Sequence, residues 1–66
     1  MKVYGVFREM MLTYYFTEVL VQLYQYEEYA NTHTNTLNLS NTDPMQEDEY
    51  GPISGTRYIV KELEVK

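Results

Sequence analysis

The chain contains no cysteine and no tryptophan, only three glycines and two prolines, and neither lysine nor arginine between residues 9 and 56. Without cysteine it can form no disulfide, hold no thiolate-bound metal and offer no thiol nucleophile; such a composition suits a reducing compartment. Gly5, Gly51 and Gly55 are scattered, so neither a GxGxxG turn nor a P-loop is available to cradle a phosphate. The longest apolar stretch, around residues 19–23, is broken by Glu18 and Gln22 and falls far short of the roughly 20 residues that span a bilayer. Arg8 and Glu9 interrupt any apolar region of a secretion signal, so the expected location is the cytoplasm, and Asn38-Leu39-Ser40 matches a glycosylation acceptor by chance.

The missing cations are the most informative absence. Glu9, Glu18, Glu27, Glu28, Asp43, Glu47, Asp48 and Glu49 all lie in the stretch that lacks them, while Lys2, Arg8, Arg57, Lys61 and Lys66 sit towards the ends. The net charge of −5 is therefore a middle of −8 flanked by segments of +2 and +1. Such an asymmetry favours a positively charged partner and disfavours direct contact with nucleic acid or anionic lipid.

What is present is tyrosine: eight of them, with two phenylalanines, in a hydrophobic fraction of 44%. Tyrosine packs a ring while keeping its hydroxyl wet, which suits a thin core and a binding surface equally. The 66 residues make one domain, and a chain of that length buries only about 60% of its unfolded surface. With no cross-link to help, self-association as a homodimer is one route to the missing burial.

Residues 2–8 read as a strand with Val3, Gly5 and Phe7 on one face and Tyr4 and Val6 on the other. Residues 12–24 carry two signals. Leu12, Tyr15, Phe16, Val19, Leu20 and Leu23 form a helical stripe, yet the segment is crowded with β-branched and aromatic side chains that prefer a pleated surface. Composition favours a second strand over residues 14–24, with residues 10–13 as the hairpin connection; the alternative is βαβ with one long helix. Tyr26, Ala30, His33 and Leu37 give one apolar side to a helix over residues 26–39, whose acidic first turn suits the helix dipole and whose Asn- and Thr-rich end is expected to fray. Asp43-Pro44 and Gly51-Pro52 bracket a solvated loop over residues 41–52, and residues 56–65 alternate as a third strand. The expected fold is α+β: ββαβ, a small antiparallel sheet with one helix packed on a face.

No catalytic constellation is legible. His33 is the only histidine and stands between Thr32 and Thr34, while Ser40 and Ser54 have no nucleophile-elbow context. Asp43, Glu47, Asp48 and Glu49 could supply oxygen ligands, but Pro44 and Met45 break the calcium-loop pattern and the turn lacks its glycine. No enzyme, metal or cofactor is expected. Tyr24, Tyr26 and Tyr29 flank Glu27 and Glu28, an acidic and aromatic patch of the kind that anchors on Arg or Lys of another protein.

The layout of a KVY first strand, a Glu-Glu-x-Ala helix start, an acidic Gly-Pro loop and a closing Tyr-x-Val-x-Glu-Leu-Glu-Val strand resembles small phage-encoded or mobile-element proteins. In being tiny, acidic and without catalytic motifs the chain is also similar to the anti-CRISPR proteins. The resemblance spans the whole chain at the level of class. It implies an inhibitor that acts in the host cytoplasm by occupying the nucleic-acid channel of a basic host protein, possible targets including a CRISPR-Cas effector. The residues expected to carry binding are Glu18, Glu27, Glu28, Asp43, Glu47, Asp48 and Glu49, with Tyr24, Tyr26 and Tyr29. The competing expectation is a structural or regulatory interaction module that uses the tyrosine patch and an exposed sheet edge, its charge serving only solubility.

Overall fold

Alternation along the first residues already divides them between two sides of a pleated strand, and the structure keeps that division. The computed structural model describes residues 1–13 and 15–66 and runs β1 (Lys2–Leu12), β2 (Tyr15–Tyr24), α1 (Glu27–Leu39), β3 (Gln46–Asp48) and β4 (Gly51–Glu64). The strands form one antiparallel sheet in the order β2-β1-β4-β3, with α1 on one face. This is the expected α+β architecture with one strand added.

Pairing assigns side chains to faces. Phe7 lies opposite Leu20 on β2 and Ile59 on β4, and Glu9 opposite Glu18 and Arg57, so these share the face away from the helix. Tyr4 lies opposite Tyr24 and Glu62, and Val6 opposite Val60, on the face that α1 covers. Val6 and Ala30 are fully buried; they are the only hydrophobic residues classed as buried among those described, and Thr34 joins them from the helix. The core is one thin layer between α1 and the sheet.

The segment with two signals is a strand, although Tyr14, where the expected strand begins, lies outside the described residues. Its helical-looking stripe has a structural origin. Val6 pairs with Gln22 and Phe7 with Leu20, so Val21 is an extra, bulged residue. A bulge resets the two-residue alternation. Phe16, Leu20 and Leu23 thereby fall on one face at spacings that mimic a helix turn.

Two boundaries differ from expectation. Met10, Met11 and Leu12, expected in the hairpin connection, extend β1 by pairing with Thr17, Phe16 and Tyr15. The expected loop contains β3, and β4 starts at Gly51 rather than Thr56. The Asp48 carboxylate accepts the Tyr50 amide proton (2.8 Å) and Gly51 takes φ +115, which closes a turn tight enough for Asp48 to pair with Gly51. Gly55, also at φ +115, is buried against the backbone of Pro44 and Met45, where a Cβ would collide.

The Asn- and Thr-rich end of α1 stays helical to Leu39 because its side chains are used. Thr32 and Thr36 hydroxyls donate to the carbonyls of Glu28 (2.9 Å) and Thr32 (3.1 Å). The Asn38 amide grips the backbone of Tyr58 with two hydrogen bonds of 3.0 Å, donating to its carbonyl and accepting from its N–H. Asn41 donates to the Thr56 carbonyl (2.7 Å), and the Thr56 N–H donates to the Asp43 carbonyl (2.8 Å). The helix and the chain after it are thus tied to the outer side of β4. Among the described residues no helix is long and apolar enough to cross a membrane.

Candidate binding surfaces

Three surfaces could engage a partner: the acidic start of α1, the acidic turn between β3 and β4, and the sheet face without a helix. The cations decide what the first two offer. On the open face Arg57 reaches Glu9 (2.6 Å) and, more loosely, Glu47 (3.5 Å), while Lys61 reaches Glu18 (2.6 Å). Elsewhere Lys2 meets Glu62, and the terminal amine meets Glu64, both at 3.3 Å. Among the described residues, five of the ten acids are thereby compensated.

The expected carboxylates divide accordingly. Glu18 and Glu47 have partners from β4, because antiparallel pairing brings the cationic C-terminal segment beside the acidic middle. Glu27 and Glu28 at the start of α1, Asp43 between α1 and β3, and Asp48 and Glu49 at the β3–β4 turn are exposed and take part in none of these ion pairs. Glu27 and Glu28 lie at one end of α1, an element about 20 Å long, whereas Asp48 and Glu49 lie beyond its other end, where Asn38 meets Tyr58, Asn41 meets Thr56 and β4 runs on to the turn at Gly51. They form two separate acidic poles and no continuous row.

Each pole carries exposed tyrosine. Tyr26 and Tyr29 meet edge to face (centroids 5.9 Å apart) beside Glu27 and Glu28, and each is more than half exposed. Tyr50 projects from the β3–β4 turn at 90% exposure. Tyr24 differs from the other tyrosines of its cluster. It is half-buried, and its hydroxyl lies 2.9 Å from His33 Nδ1, so it fastens α1 to β2. That hydrogen bond also gives His33 a packing role.

The third surface was not singled out from sequence. The face of the sheet opposite α1 presents Phe7, Phe16, Leu20, Leu23, Ile59 and Leu63, with the Glu9–Arg57 and Glu18–Lys61 pairs among them. Phe16, Leu20 and Leu23 are 48%, 46% and 49% exposed. The Lys61 ammonium lies 5.2 Å from the centre of the Phe7 ring on its way to Glu18. At the hairpin end this face runs into an open groove of about 570 Å³ lined by Met11, Phe16, Tyr50 and Ile53. The available signal was the near-continuous apolar run of β2, the pattern of a strand buried on both faces.

Among the described residues no group of three or more His, Asp or Glu is placed to hold a metal ion. The sequence matches no protein-family model, and neither curated proteins nor solved structures contain a match to it.

Proposed function

We propose that this chain is a non-enzymatic binding module that offers exposed carboxylates and tyrosines to a basic surface of a nucleic-acid-binding protein, and thereby competes with DNA or RNA in the cytoplasm of the cell in which it acts. One observation supports it above the others: among the described residues internal ion pairs involve four of the six cationic groups, leaving Glu27 and Glu28, and Asp48 and Glu49, exposed in two poles, each beside an exposed tyrosine. Tyrosine supplies contact area at small entropic cost, and carboxylates supply attraction and register towards Arg and Lys. An effector of the CRISPR-Cas class is one target of this chemistry, as the phage-protein resemblance suggests.

The test is capture of host proteins at low and high salt, followed by affinity measurement on the protein captured. Changing Glu27, Glu28, Asp48 and Glu49 together to lysine should reduce binding at least 100-fold, about 2.7 kcal/mol. Wild-type affinity should fall as salt rises from about 0.05 to 0.2 M. Binding that ignores both salt and charge reversal would eliminate the electrostatic reading. Loss on changing Tyr26 and Tyr29 alone would instead favour the interaction module whose charge is only solubilising, a reading supported by the exposed edge of β2.

A further inference from the structure

We propose that the open face of the sheet is the interface of a homodimer, in which two copies pack face to face and bury Phe7, Phe16, Leu20, Leu23, Ile59 and Leu63 between two sheets. The contact lies away from the acidic start of α1, and at the hairpin end it borders the groove that Phe16 shares with Asp48 and Tyr50.

A single chain is under-packed. Its accessible surface is 4991 Å², whereas a compact 7.9 kDa monomer should expose about 4,400 Å². Its radius of gyration is 12.9 Å against about 11 Å for a compact chain of 66 residues. The excess, roughly 600 Å², approaches the roughly 800 Å² that each partner buries in a standard interface. The solvated side of an antiparallel sheet is ordinarily polar; here it carries six large apolar side chains around two ion pairs.

Charge identifies the occupant. Two chains of net charge −5 repel wherever acidic surface meets acidic surface. The centre of the open face holds two acids and two bases already joined as Glu9–Arg57 and Glu18–Lys61, with Glu47 at the margin. A second copy can approach there without opposing like charges, and neither pair loses a partner on burial. A two-fold contact brings the same patch to both sides, which suits a patch that neutralises itself. The need for extra burial is also permanent, because among the described residues Val6 and Ala30 alone are fully buried apolar side chains. A second copy is the partner that accompanies every chain.

Val19 and Leu20 provide the test. They are adjacent and equally exposed, at 45% and 46%, but lie opposite Arg8 and Phe7 and so project to different faces. Light scattering from about 1 to 100 µM, where mass action separates single from paired chains, should give twice the 7.9 kDa chain mass for the wild type and for Val19→Glu. Leu20→Glu should give the single-chain mass. In the wild type, isotope-filtered NMR on mixed labelled and unlabelled chains should show contacts from the Leu20 and Leu23 methyls to the partner copy, a readout that needs no variant to fold. A single-chain mass for the wild type throughout, or absence of those contacts, would overturn the proposal. Equal weakening by both variants would also overturn it, by moving the contact to the edge of β2.

Discussion

The two faces of one sheet differ in how they are finished. Beneath α1, Val6 and Ala30 are removed from water entirely, and Tyr24, Asn38 and Asn41 hold the helix segment in place through His33 and the backbone of β4. On the other side Phe16, Leu20 and Leu23 are about half exposed, and a carboxylate, Glu9, is buried and held by Arg57. The covered face owes its cohesion to apolar packing. The open face is knitted by ion pairs that cross between strands, an arrangement that tolerates water and also tolerates a second apolar surface laid upon it.

Breaking the central ion pair should have the largest effect. Arg57→Met would leave Glu9, only 6% exposed, without its cation, at a cost of about 3 kcal/mol. A domain of this size has roughly 3–10 kcal/mol in all, so much of the stability would go in a urea titration. Adding Glu9→Gln should restore part of it. A loss below about 0.5 kcal/mol would show that Glu9 is served by water, as surface pairs are.

The contrast between packed and open apolar groups can be measured next. Val6→Ala should cost about 2 kcal/mol through lost burial and the cavity left behind. Leu20→Gln, measured where single chains predominate, should cost less than about 0.5 kcal/mol despite the larger side chain it removes. Similar losses at the two sites would mean that the open face is already covered. The smallest effect concerns the clamp. Asn38→Ala removes two hydrogen bonds to Tyr58, and about 1 kcal/mol should disappear, with faster amide exchange confined to the end of α1 and residues 56–58.

Much of the fold could be read from local pattern. Alternation over residues 2–8 and 56–65 assigns side chains to the faces they occupy, because a pleated strand has a period of two. The acidic turn at Glu27 and Glu28 marks where α1 starts. The β3–β4 hairpin was not legible: its three-residue strand is too short for periodicity, and its formation depends on the Asp48–Tyr50 turn and the positive φ of Gly51. Nor was the stripe of β2, since one bulged residue makes a strand carry the spacing of a helix. The candidate surfaces were half legible. The tyrosines beside Glu27 and Glu28 are adjacent in sequence and remain so in space, except that Tyr24 turns under the helix. The fate of Glu9, Glu18 and Glu47 was hidden, as their partners lie 48, 43 and 10 residues away.

The sequence by itself determined the sign of the charge, the absence of thiol and phosphate-loop chemistry, the strand-forming composition and the position of the helix. These depend on residue type and on neighbours a few positions apart. Only the tertiary structure decided which carboxylates keep a bare charge and which apolar side chains stay in contact with water. Both follow from strand register, which brings distant residues within a few ångströms and from which the local pattern of any one strand is independent.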